Sequence, residues 1–123
     1  MRAFVAWLAE ADEDRVFISV VTLAELRRGV ERMEAGARRD RLDAWLTDQV
    51  VLRFEGRVLA IDAGTADLWG RVVARGEAAG RPVGVMDGFI AATAEQHDLA
   101  VVTRNVTDFD ALGVCTVNPW GNE

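Results

Sequence analysis

Three carboxylates in this chain follow apolar, strand-like runs: Glu25 in F-I-S-V-V-T-L-A-E-L-R-R-G, Asp87 in P-V-G-V-M-D-G-F-I-A-A-T-A and Asp108 in L-A-V-V-T-R-N-V-T-D-F. In an open α/β sheet the C-terminal ends of parallel strands share one edge, and ligands bind there. Carboxylates delivered to that edge from separate stretches converge. Such a cluster is stable only when protons or a hard divalent cation neutralise it. The chemistry implied is a Mg²⁺ or Mn²⁺ site that assists attack on a phosphate.

Each acid also has a plainer reading. Thr22 and Glu25 form a capping-box pattern, T-x-x-E, in which each side chain satisfies the other's amide. Asp87 reads as the cap of a helix starting at Gly88. Asp108 reads as part of an Asx-type turn with Asn105, or as the cap of a short segment over 109–112. Singly, each of these readings is at least as strong as a metal role. The shared position of the three favours the cluster, and the small neighbours Ala24 and Gly88 leave room for a substrate.

Other chemistries are poorly supplied. Ser19 is the single serine and falls mid-strand, and His97 is the single histidine and falls at a helix C-terminus. Cys115, the single cysteine, reads as a small buried hydrophobe and excludes an internal disulfide. There is no lysine, so neither a P-loop nor a Lys-dependent phospho-acceptor site is available.

The elements that position these residues alternate. Phe4, Val5, Leu8 and Ala11 repeat at helical spacing. A strand over 16–21 follows, then a helix capped by Thr22 and running to about Met33, broken at Gly36. Leu42, Trp45, Leu46 and Val50 share one helical face. A strand near Val58, capped by Asp62, leads to a long helix with Ala66, Trp69, Val72 and Val73 inward. A helix over 88–97, a strand over 99–103 and a strand over 114–117 complete the chain. Trp7, Trp45 and Trp69 read as core residues. Strands alternating with helices predict a mainly parallel sheet flanked by helices.

The 123 residues read as one domain with a sizeable core, half of them hydrophobic. No apolar run reaches membrane-spanning length, and the early acidic residues Glu10, Asp12, Glu13 and Asp14 do not fit a signal peptide. A cytoplasmic location is the expectation. Net charge is -6, yet six of fourteen basic residues, all Arg, lie from Arg27 to Arg41. Arg27, Arg28 and Arg32 are candidates to contact RNA phosphates; a solvated helix face explains the same pattern.

Together these segments resemble the PIN-domain ribonucleases, in particular the VapC-type toxins of toxin–antitoxin pairs. V-F-I-S-V-V-T-L-A-E-L-R-R-G, V-M-D-G-F-I-A-A-T-A and V-V-T-R-N-V-T-D-F stand in the family's order, and G-V-C-T-V-N-P-W is similar to its C-terminus. The resemblance implies a Mg²⁺-dependent endoribonuclease, with Asp87 and Asp108 as metal ligands. Glu25 binds metal or orients water, and Thr103 and Asn105 act as supporting polar groups. It also implies an antitoxin partner and a homodimer, for which Phe4, Val5, Leu8, Leu42, Trp45 and Leu46 are the expected apolar surface. One departure stands out. The family opens on a central strand ending in a metal-binding Asp, and no such segment occurs here. The expectation is therefore a PIN-like domain over 1–123, N-terminally truncated, lacking its first strand and weakened in metal binding. The alternatives are a non-catalytic module that pairs with an antitoxin or with itself, and a DNA-directed nuclease of the same fold.

Overall fold

The computed structural model describes residues 16–119; the expected first helix with Phe4, Val5, Trp7, Leu8 and Ala11 lies outside them. Strand β1 (Ile18–Ser19) is shorter than the run 16–21 suggests. Ser19 ends it, because its Oγ accepts from the amide of Thr22 at 3.0 Å and caps helix α1 (Val20–Glu31). Val20 and Val21 are thus helical, and the cap is Ser19 rather than Thr22. The expected Thr22–Glu25 capping box is not formed, and Ser19 is a cap rather than a mid-strand residue.

A helical run follows: α2 (Ala37–Ala44), a π turn (Trp45–Val50) and α3 (Val51–Arg53). Its apolar face packs inward. Leu46, Val50 and Phe54 join Ile18 and Val30 in a core that Leu42 and Trp45 flank. Leu46, 4% exposed, is therefore a core residue rather than the exposed dimer surface expected for it, while Leu42 and Trp45 are half-buried against its cluster.

Strand β2 (Val58–Leu59) leads to helix α4 (Ala63–Ala78). Asp62 caps α4 as expected: its Oδ1 accepts from the amide of Thr65 at 3.0 Å, and the Asp62 amide donates to Thr65 Oγ1 at 3.1 Å. Gln96 Nε2 also donates to Asp62 Oδ1 at 2.9 Å, joining the start of α4 to the end of helix α5 (Val85–Gln96). Val72 faces the core and Trp69 packs against it, whereas Ala66, expected inward, is exposed. The remaining elements are β3 (Val101–Val102), helix α6 (Val106–Asp110) and β4 (Thr116–Val117). Cys115, just before β4, is exposed, contrary to its apolar reading.

The strands form two parallel pairs, β1 with β2 and β3 with β4, and no strand joins the pairs among the described residues. Each pair has its own core, the second centred on Val72, Ala91, Ala92, Val101 and Phe109. Ile18 N donates to Arg57 O at 3.0 Å and Val101 N to Cys115 O at 2.9 Å. Alternation along a strand therefore turns the main chain of Phe17 and Ser19, and of Ala100 and Val102, the other way. Those residues line a groove of about 170 Å³ between the pairs, together with Ile90, Thr93 and Ala94 of α5. No helix among the described residues is long and apolar enough to cross a membrane.

Helix α5 is thin by composition. Ala91, Ala92 and Ala94 are buried, and Gly88 meets the Trp69 indole so closely that a Cβ there would lie 2.7 Å from Nε1. The absence of a side chain at Gly88 thus accommodates Trp69 of α4. Gly88→Ala should cost about 1–3 kcal/mol by overpacking, measured by urea unfolding. An unchanged midpoint would mean that Trp69 moves aside freely.

Candidate active site

Asp87 does not follow a strand. The run 81–84 contains Pro82 and Gly84, has no strand partner, and ends with Gly84 as the cap of α5. Asp87 is therefore in the first turn of α5, and the helix begins at Val85 rather than Gly88. A helix leading into a parallel strand runs back across the sheet, so its N-terminus lies at the strands' C-terminal edge. This is how Asp87 reaches the expected edge by a different route. The Trp69 indole donates to the Val85 carbonyl at 3.1 Å and holds that first turn.

Asp108 lies in the first turn of α6, just after β3. The turn between them is folded by Thr103, whose Oγ1 accepts from the Asn105 amide at 3.0 Å. Asn105 is the cap residue of α6 but makes no side-chain capping bond. The readings of Asp108 as an Asx-turn member or as the cap of 109–112 therefore give way to a first-turn position in a helix that starts earlier.

Asp87 and Asp108 line one concavity of about 90 Å³ with Arg81, Pro82, Val83 and Gly84. Burial raises the Asp87 pKa, and the Asp108 charge raises it further. Glu25, on α1, does not line this concavity but feels it. Its pKa is raised by burial first and by Asp87 second, while Arg28 opposes both. The three acids are thus electrostatically linked through Asp87. Among the described residues no three His, Cys, Asp or Glu side chains form a ready-made chelating set.

The arginine-rich stretch divides by role. Arg27 donates to Asp43 Oδ1 at 2.8 Å, to Glu31 Oε1 at 3.3 Å and to Thr47 Oγ1 at 2.9 Å. Arg39 shares Glu31 at 2.9 Å. Arg27 thereby ties α1 to the following helical run, and a phosphate would have to displace two carboxylates to reach it. Arg28 and Arg32 are exposed. Arg81 has the clearest place at the acids: Arg81 Nη1 lies 3.3 Å from Asp108 Oδ1. The sequence reading passed over Arg81, and the sign that pointed to it was an Arg in the G-R-P turn leading to the Asp87 helix.

Comparison with known proteins fits this geometry. A model of the PIN domain matches residues 1–114. The chain belongs to the PIN-domain family. It is 36% identical to VapC ribonuclease Y4jK of Sinorhizobium fredii over 119 residues, 97% of this chain and 85% of that one. It is 36% identical to toxin FitB of Neisseria gonorrhoeae over 116 residues, covering 94% and 84% of the two chains. A solved structure of FitAB bound to a DNA fragment superposes on this PIN domain with a TM-score of 0.88 at 34% identity, covering 97% and 83%.

The raised carboxyls make a signed prediction for the metal-free protein. A folded-state pKa above the ordinary value means stability is fully present below the ordinary value and lost as pH rises through the raised one. Glu25 and Asp87 should therefore weaken the fold near neutral pH and cease to do so as pH falls toward about 4. Asp62 acts in a separate window, its contribution being lost only below 3.8, toward its lowered value of about 2. In chelator, a Glu25→Gln, Asp87→Asn double variant should be more stable than wild type near pH 7. Urea unfolding across pH should show that margin shrinking in acid. A pH-independent difference would count against charge repulsion.

Proposed function

We propose that this chain is the metal-dependent endoribonuclease toxin of a type II toxin–antitoxin pair, with Asp87 and Asp108 holding Mg²⁺. The observation that carries the reading is the pairing of those two carboxylates in one small concavity on a PIN fold. The donor set suits the ion. Mg²⁺ keeps several waters and is commonly held by one or two carboxylates plus substrate phosphate. Two acids in one concavity satisfy that need without a third protein ligand. Mn²⁺ fits the same oxygen donors.

The cation supplies a lowered water pKa and offsets charge on the attacked phosphate. The chain supplies position. Asp87 is fixed by the first turn of α5 and by Trp69; Asp108 is fixed by the Thr103–Asn105 turn. Glu25, whose pKa is raised, would bind the cation directly or orient the attacking water. Arg28 beside it opposes that rise. Arg28 and Arg32 supply exposed positive charge for RNA phosphates. No side-chain nucleophile is required: Ser19 is occupied as a cap, and His97 and Cys115 take no part.

Similarity to FitB, which occurs in FitAB complexes, supports an antitoxin protein as the partner of this chain. Val85 and Met86, exposed beside Asp87, offer it an apolar rim next to the acids. A cytoplasmic setting goes with that pairing.

The test is Mg²⁺-dependent cleavage of single-stranded RNA. Asp87→Asn and Asp108→Asn should each lower the rate by more than about a hundredfold, the upper range for loss of a mere supporting partner at a metal site. A folded wild type that takes up no Mg²⁺ by calorimetry and leaves RNA intact would overturn the catalytic reading in favour of a non-catalytic pairing module.

A further inference from the structure

The concavity at Asp87 and Asp108 contains one basic side chain among its lining residues, Arg81. Its main chain is fixed. The Arg81 amide donates to the Gly76 carbonyl at 2.8 Å. Gly76 is buried in α4, and a Cβ there would lie 2.9 Å from the Arg81 carbonyl oxygen and 2.5 Å from Val83 Cγ2. Gly80, at φ 75°, turns the chain just before Arg81, and the Pro82 ring restricts it just after. The side chain is held far less. It is 49% exposed and meets Asp108, itself 68% exposed, through one contact of 3.3 Å. A guanidinium has five donors in a planar fork, and an exposed one-point ion pair is a weak tie.

A rigid anchor with a loosely tethered cation beside two carboxylates is arranged for exchange. A divalent cation at Asp108 competes for the oxygen that Arg81 holds and repels the guanidinium. The freed fork matches the paired oxygens of a phosphate better than a single carboxylate oxygen. We propose that Arg81 is the phosphate-binding residue of this site: it rests on Asp108 until a divalent cation displaces it, and then grips the RNA phosphate at the cation. The proposal rests on the reading of Asp87 and Asp108 as cation ligands. It makes Arg81 a placeholder for the cation in its absence and a substrate contact in its presence.

A purely structural tie between the α4–α5 turn and α6 makes different predictions, and two measurements separate them. The first is Mg²⁺ titration by calorimetry without RNA. Arg81→Gln removes a competing positive charge, so Mg²⁺ should bind about threefold tighter, the scale of an exposed ion pair. A structural tie would leave affinity unchanged or weaken it. The second is the salt dependence of RNA cleavage. The slope of log kcat/KM against log salt should fall by about one for Arg81→Gln, with the loss mainly in KM. Arg81→Lys should keep the slope but recover only part of the KM, since a point charge lacks the fork. Thermal unfolding of each variant checks the fold. If wild type cleaves RNA with Mg²⁺ while Arg81→Gln, still folded, shows unchanged Mg²⁺ affinity and salt slope, this proposal falls and the nuclease reading stands. If wild type neither binds Mg²⁺ nor cleaves RNA, both fall.

Discussion

Gly88, Ala91, Ala92 and Ala94 leave α5 slim on much of its buried side, and α4 closes tightly against that thin helix. Trp69 of α4 fills the space over Gly88, stacks on Phe89 at 5.5 Å between ring centroids, and donates to the Val85 carbonyl. At the other end Gln96 reaches Asp62 and Thr65 at the start of α4. The two helices are therefore fastened at both ends. The consequence for the site is that the first turn of α5, which carries Asp87, cannot slide along α4 without breaking the indole bond or unfilling the space over Gly88. Close packing of this kind transmits small displacements rather than absorbing them, so the position of Asp87 follows that of the α4–α5 pair.

Electrostatics then works against the arrangement. Both influences on Asp87, burial and the neighbouring Asp108, push its pKa upward. The two outer acids have cationic neighbours: Arg28 opposes the rise in the Glu25 pKa without reversing it, and Arg81 pairs with Asp108. Glu25 and Asp87 both carry a cost, and the positive charge stands at the flanks. A fold optimised only for stability gains nothing from this. Asp87 replaced by a neutral residue would still leave Gly84 capping α5 and Trp69 holding its first turn. A perturbed carboxyl that faces a concavity, as Asp87 does, is what a functional site looks like in physical terms, and the family membership of the chain points the same way.

The acids were legible in the sequence because their type, order and flanking runs are all visible there. Their delivery was less so. P-V-G-V-M has the β-branched texture of a strand, but Pro82 and Gly84 leave it without a partner, and Gly84 starts a helix instead. V-F-I-S-V-V likewise reads as six strand residues, yet one hydrogen bond from the Thr22 amide to Ser19 Oγ ends the strand at its second residue. Propensity is a weak prior against a cap that satisfies an orphan amide. Leu42, Trp45 and Leu46 were correctly placed on one face, but the sequence does not say whether such a face meets a core or a partner. Arg27 and Arg81 were equally opaque: only geometry shows that one is locked between two carboxylates and the other hangs by a single contact.

The split sheet gives these facts a common frame. Each strand pair carries its own core, and α5 contributes Ile90, Thr93 and Ala94 to the wall of the groove between them. Glu25 belongs to the first half, on the helix that leaves β1. Asp87 and Asp108 belong to the second. That division explains why Glu25 senses the Asp87 charge yet does not line the Asp87–Asp108 concavity. The distance from Glu25 to the other two acids is set by how the halves meet, not by either core alone. Strand edges facing the groove have no ladder partner across it among the described residues, so the meeting of the halves rests largely on helix packing. A cation that engages Asp87 removes part of the repulsion that Glu25 feels, and any such relief acts across the seam. The middle acid stands on α5, the second-half helix whose Ile90, Thr93 and Ala94 wall the groove, so the charge balance of the site lies beside the seam between the halves.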